Sequence, residues 1–301
     1  YSYLASTADL PRHYIVVFGR QHTIAKAHAI HVYSKAVIKV MEICMKPVLG
    51  VQMFTLRKYT QSADDLKSTL ERVRRIGYQS IQISAFGDID AQTIANLCAD
   101  NDLTIGGTHV AWDRYRHDLD RVIEEHHLWQ CRHTAVGMIP PKVYLSMAGI
   151  KQFLEELQPV ADKLNAAGID FSYHNHHHEF RQFDGKPWLQ HLYDSSSAEL
   201  LKAELDTHWI QAGGADPAVW IDYVGDRMPL LHLKDFAINA ESQRIFAPVG
   251  QGNMNWQAIL DAARRHPIEY YFIEQDSCYG ADEFDCLQAS YDYLHNQFGL
   301  N

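Results

Sequence analysis

Short apolar runs and amphipathic stretches alternate along this chain from Pro47 onward, and that alternation restricts its fold more than any other feature. "VLGVQMF" (48–54) has the length of a strand, and "SADDLKSTLERVRRIG" (62–77) after it reads as a helix. Ser62 can cap that helix, Asp64 and Asp65 suit its first turn, and Leu66, Leu70, Val73 and Ile76 share one face before Gly77 stops it. The succession repeats. Strands are expected at 78–84, 103–110, 131–139, from Phe171, and at 200–206, 228–235 and 269–276. Helices are expected between and after them at 90–102, 113–129, 148–168, 187–197, 216–225, 255–265 and 281–298. Strict alternation implies parallel strands joined by crossover helices. Eight such units in about 250 residues predict a (β/α)8 TIM barrel, an α/β fold. The competing doubly wound sheet needs a GxGxxG turn after a strand, whereas Gly250 and Gly252 in "VGQGNMNW" follow no strand directly.

The barrel is therefore expected over residues 47–301 as a single domain, behind an irregular extension, residues 1–46. Between Arg12 and Pro47 the only acidic residue is Glu42, and the segment is basic and apolar without clean periodicity. It reads as an extension uninvolved in the chemistry; a targeting peptide, or sequence upstream of a natural start at Met45, is the other reading. The net charge of −10 repels phosphate backbones, so nucleic acid is not expected as a partner. Five cysteines without CxxC spacing suggest a reducing, cytoplasmic setting, and no apolar run is long enough to span a membrane.

Active sites of such barrels lie at the C-terminal ends of the strands, and strand side chains alternate between the two faces. The apolar residues fix which row points outward: Phe171 and Tyr173, then Ala203 and Leu205, Leu231 and Leu233, and Tyr271 and Ile273. The inward rows then end in His174, Asp206, His232 and Glu274, on consecutive strands at one rim. Glu204 lies inward below Asp206, and the third strand brings His109 to the same rim. Imidazole nitrogens beside carboxylate oxygens suit one divalent metal ion with open positions for substrate. The mixed donors favour Mn, Co or Zn over Mg. Arg57, Lys234 and His208 lie near strand ends, and Phe54, Trp112 and Trp209 are placed to stack on a sugar ring. Arg57, Trp112, His109 and His208 are thus candidate substrate contacts. His177 and His178 read as surface loop residues.

The segments "YHNHHHEF", "ELDTHWIQAGG", "LLHLKDF", "VGQGNMNWQAIL" and "YFIEQD", in this order, resemble the sugar isomerase/epimerase group of the xylose-isomerase-like barrel superfamily. That superfamily also holds AP endonucleases, inosose dehydratases and tagatose/psicose epimerases. The resemblance covers residues 47 to about 298. It implies a metal held by Glu, Asp, His and Glu from strands five to eight, of which Asp206, His232 and Glu274 match the last three. His174 stands where the epimerases have Glu, so His174, His176 or Glu179 is left to complete the set. It also implies that two ligand glutamates exchange the substrate proton. Only Glu274 is in place, so Glu179 or His176 would be the second acid/base group, with Lys234 holding a substrate oxygen.

The chemistry implied is metal-dependent isomerisation or epimerisation of a keto-sugar or related polyol through an enediolate. The runner-up is a lyase or dehydratase acting on a 3-keto-glycoside or inosose, for which a histidine is a suitable base. An AP endonuclease-like nuclease would need more histidines, including one at Trp209, and a barrel that binds sugar without turnover is the non-catalytic alternative. The expected partner is a small carbohydrate, with a homo-oligomer possible.

Overall fold

The computed structural model describes residues 47–144 and 146–301, so the expected extension, residues 1–46, lies outside the described residues. Eight strands form where the apolar runs stand: β1 (Val48–Gln52), β2 (Ser80–Ile83), β3 (Thr104–His109), β4 (His133–Val136), β5 (Asp170–His174), β6 (Lys202–Asp206), β7 (Leu230–Leu233) and β8 (Tyr270–Ile273). They close into one barrel in sequence order, every pair parallel. The alternation sorts the two faces. Leu49, Val51, Phe171, Tyr173, Leu205, Leu231 and Leu233 are buried under the helices. Gln52, Gln82, Glu204, Asp206 and His232, also buried, fill the interior. Gly50 faces inward too, because any Cβ there would stand 2.8 Å from the Phe272 ring that fills the barrel floor.

The helices form the outer layer. In Ala63–Ile76 the Ser62 hydroxyl accepts the Asp65 N–H, and Leu66, Leu70 and Val73 are buried. The single helix expected at 113–129 is instead two, Trp112–His117 and Leu119–Leu128. Asp118 leaves the helical region (φ −142°) and its carboxylate accepts from Arg114 at 3.1 Å. The Arg114 guanidinium also donates twice to Glu125 at 3.0 Å, so the break is bridged by an ion pair.

Further elements decorate the rim. A 3-10 turn (Met53–Tyr59) follows β1, and a helix (Thr207–Ala212) follows β6, capped by Asp206 through the Trp209 N–H. Beyond β7 an antiparallel ribbon pairs Asp235–Ile238 with Arg244–Ala247. Asp235 explains the "VGQGNMNW" segment. Its carboxylate accepts the N–H groups of Phe236, Gly250, Gly252 and Met254 and the Trp256 indole, at 2.7–3.3 Å. A Cβ at Gly252 would lie 2.2 Å from Asp235 Oδ1, so the loop can wrap the carboxylate only with glycine there. Among the described residues no helix is long and apolar enough to cross a membrane.

Candidate metal centre and cleft

The C-terminal ends of β5 to β8 deliver His174, Asp206, His232 and Glu274 to one point. One donor atom from each lies within 4.8 Å of the other three. All four residues are at most 6% exposed. His232 Nδ1 stands 3.2 Å from Glu274 Oε2 and 3.9 Å from Asp206 Oδ2. Asp206 divides its labour: Oδ1 caps the helix that follows, and buried Oδ2 has no hydrogen-bond partner. A buried carboxylate oxygen without a hydrogen-bond donor is costly, and the nearest ammonium, Lys234, stands off at 3.5 Å, which leaves room for a closer cation. Two nitrogens and two oxygens, one of them that unpartnered atom, fit a divalent ion.

A second group lies deeper and shares two histidines with the first. Glu204 Oε1 faces His109 Nε2 at 2.5 Å, His232 Nε2 at 3.0 Å and His174 Nδ1 at 3.2 Å. Glu204 Oε2 accepts from Gln82 Nε2 at 2.7 Å. The inward row on β6 already contained Glu204, but its partners come from β2, β3, β5 and β7. β5 and β7 flank β6 in the sheet, whereas only closure of the barrel brings β2 and β3 opposite it.

Above the centre opens a cleft of about 340 Å³. Phe54, Trp112, Met138 and Trp209 give it apolar walls, and His109, His174, His176, Lys234, Glu274 and Asp276 give it polar ones. Lys234 is buried against three carboxylates: Asp276 at 2.6 Å, Glu274 at 3.2 Å and Asp206 at 3.5 Å. Its ammonium also lies 4.9 Å from the Trp209 ring centroid. The ion pair with Glu274 is one that a purely structural lysine would also make, whereas the neighbouring Asp235 is spent on the loop described above. Asp276, two residues beyond Glu274, is a cleft residue that strand alternation alone did not single out.

The charges are set by burial and by these neighbours. Burial would lower the His232 imidazole, but Glu204 and then Glu274 outweigh it and raise it to about 10. Burial, reinforced by His232, pushes His174 well below its usual value and keeps it neutral. Burial pushes His176 down to about 4. Burial opposes the Glu274 carboxylate, yet Lys234 and His232 hold it well below the usual carboxylate range. Asp206 is raised, by burial first, against the pull of Lys234. Burial would lower Lys234 too, but Glu274, Asp206 and Asp276 keep it above its ordinary value.

The remaining candidates divide. His176 reaches the cleft, and its buried Nδ1 has no hydrogen-bond partner. His109 borders the cleft, but both ring nitrogens are occupied, one by Glu204 and one by Gln52. Trp112 borders it while packing on Phe153 and Phe171. Glu179 does not come to the cluster. It is buried behind β5, where it accepts the Tyr173 hydroxyl and the His176 N–H, both at 2.8 Å. Tyr173 faces the helix layer, and a three-residue turn at His178–Phe180 folds Glu179 back onto it. His178 is no free surface residue either, since it stands 3.0 Å from Glu179 and its ring lies tilted against Tyr144, centroids 4.0 Å apart. Arg57 is held by the carbonyls of Phe54 and Asp276 and lies over the Phe54 ring, outside the cleft lining. His208 is buried against Phe246 and bonds the Asp235 carbonyl at 2.7 Å, also away from the cleft.

Several solved structures share this architecture. A sugar phosphate isomerase/epimerase from Parabacteroides distasonis is similar with a TM-score of 0.71 and 21% identity, covering 85% of this chain and 96% of that one. L-ribulose 3-epimerase gives 0.64 and 16%, covering 84% and 95%. AP endonuclease, family 2, from Brucella melitensis gives 0.59 and 13%, covering 84% and 99%. At these identities the likeness is one of fold. No curated protein sequence matches the chain. The family model described as xylose isomerase-like TIM barrel matches residues 70–278, most of the barrel, and the chain belongs to that family.

Proposed function

We propose that this barrel is a divalent-metal-dependent sugar isomerase or epimerase. It would act on a carbohydrate in which a carbonyl adjoins a hydroxyl-bearing carbon. One observation carries the reading: His174, Asp206, His232 and Glu274 converge within 4.8 Å beneath an aromatic-walled cleft that also holds a buried ammonium. Those four residues would hold the ion, and their two nitrogens favour Mn, Co or Zn over Mg. A bound divalent ion supplies Lewis acidity, making the hydrogen between two coordinated substrate oxygens removable. Glu274, held ionised by Lys234, is the carboxylate positioned to take that hydrogen. Lys234 places positive charge where negative charge develops on substrate oxygen. Phe54, Trp112 and Trp209 present ring faces to a sugar and exclude water. The names of two similar barrels, sugar phosphate isomerase/epimerase and L-ribulose 3-epimerase, point the same way.

A lyase or dehydratase is the second reading, and the aim of Glu179 favours it. With His174 at the fifth-strand position and Glu179 turned away, proton exchange on both substrate faces lacks a second ligand carboxylate. Elimination needs one base and one donor to the leaving group, and neutral His176 with Lys234 could fill those roles.

The test uses protein stripped with chelator and then reloaded with Mn, Co or Zn. Keto-sugars, inososes and 3-keto-glycosides are incubated with it in deuterated water. Exchange with appearance of an isomer supports the first reading, and an unsaturated product without the isomer supports the second. Absence of both on every substrate, with metal bound, would leave a binding barrel. Incision of abasic DNA would instead make it a nuclease.

A further inference from the structure

The direction of one buried hydrogen-bond chain assigns a task to Glu204, a residue outside the ion-binding set. The chain starts at a donor of fixed identity: the Phe54 backbone N–H donates to Gln52 Oε1 at 3.1 Å. That bond fixes the Gln52 amide, so its nitrogen faces Gln82 Oε1 at 2.9 Å and His109 Nδ1 at 3.2 Å. Gln82 is fixed in turn, with Oε1 accepting and Nε2 donating to Glu204 Oε2 at 2.7 Å. His109 Nδ1 is therefore an acceptor, and its proton sits on Nε2, pointed at Glu204.

The same logic reaches His232. Its Nε2 lies 2.7 Å from Gln82 Oε1, an acceptor already facing the Gln52 amide, and 3.0 Å from Glu204 Oε1. That nitrogen must carry hydrogen, which leaves Nδ1 as the one that faces Asp206 and Glu274. On β5 His174 Nδ1 has no hydrogen bond in place, but Glu204 Oε1 stands 3.2 Å from it, so a small turn of the ring engages Nδ1 and leaves Nε2 for the ion. The deeper group of His109, His174, Glu204 and His232 is also close enough to hold a cation. The Gln52 amide argues against that use: were His109 to bind an ion through Nε2, its Nδ1–H would confront the Gln52 N–H.

We propose that Glu204 is a positioning residue. Its Oε1 faces Nδ1 of His174 at 3.2 Å and Nε2 of His232 at 3.0 Å, the latter also bonded to Gln82 Oε1, and so turns the opposite nitrogen of each ring toward the ion above. One carboxylate thereby sets the tautomer and the ring angle of both imidazole ligands, an arrangement known to govern affinity at metal–histidine centres. The inference rests on the proposed ion site.

Co(II) titration of the whole chain and of Glu204→Gln tests it. Glutamine keeps the size of the side chain but cannot accept from both histidines and Gln82 at once. We expect Co(II) affinity to fall about 10–100-fold in Glu204→Gln, with a changed Co(II) absorption spectrum, and Glu204→Asp to recover part of the loss. Nitrogen-15 histidine NMR of the Zn(II)-loaded wild-type chain gives a second measurement that needs no variant to fold. It should find the proton of His174 on Nδ1 and that of His232 on Nε2. Unchanged affinity in Glu204→Gln, or the opposite tautomers, would overturn the proposal while leaving the ion site standing. A wild-type chain that takes up neither Co(II) nor Zn(II) would remove the ion site, and this inference with it.

Discussion

The ammonium of Lys234 lies 2.6 Å from the carboxylate of Asp276, across the rim between the ends of β7 and β8. Lys234 is only 1% exposed, and Glu274 and Asp206 also face it. Replacing it with methionine would strand buried carboxylates without a cation. Lys234→Met should therefore cost about 3–5 kcal/mol in urea unfolding of the metal-free protein and abolish solvent-deuterium exchange into substrate.

Asp206→Asn separates the two tasks of that side chain. An asparagine Oδ1 still caps the helix at Trp209, so the metal-free protein should keep its thermal midpoint or gain slightly. Metal content, read by elemental analysis after dialysis, should collapse. Full occupancy in this variant would remove Asp206 from the ligand set.

Glu179→Gln discriminates between a catalytic and a structural role for the carboxylate behind β5. The amide keeps one acceptor for the Tyr173 hydroxyl or the His176 N–H and loses the other. Stability should drop by about 1–3 kcal/mol while the exchange rate stays as in the wild type. A large loss of rate with unchanged stability would instead bring Glu179 into the chemistry.

His126 gives the protein an acid sensitivity remote from the cleft. Burial pushes its imidazole down to about 4, and its nitrogens bond the Val122 carbonyl and the Thr108 hydroxyl. The unfolded chain takes up this proton near pH ~6.5, whereas the folded chain resists until about pH 4. The contribution is therefore complete above pH ~6.5 and is lost as pH falls toward 4, amounting to about 2 kcal/mol by pH ~5. Urea unfolding at pH 7 and pH 5 measures it, and His126→Gln should flatten that part of the profile.

Asp235→Ala should disorder the segment from Gly250 to Trp256, because five donors lose one acceptor together. Faster amide hydrogen exchange confined to that segment is the expected signature.

Much of this architecture could be read from residue order, and the exceptions have physical causes. Each barrel strand carries an apolar row with period two, so inwardness of His174, Asp206, His232 and Glu274 followed from Tyr173, Leu205, Leu233 and Ile273 beside them. Glu179 has no such neighbour rule: it sits in a turn, where a change of one backbone angle re-aims a side chain. Two partners of Glu204, Gln82 and His109, are up to 122 residues away, on strands that meet β6 only across the closed barrel. The helix break at Asp118 was hidden because its flanks, Tyr115 and Val122, keep helical spacing through it.

The ribbon beyond β7 and the carboxylate that anchors it are separable parts. Asp235 secures the base of the ribbon to the loop ahead of Trp256, whereas Glu241, Ser242 and Gln243 at its tip are exposed. The tip can therefore serve as a cassette. Grafted lengths and compositions there would leave the Asp235 anchor and the buried proton-ordered layer underneath intact.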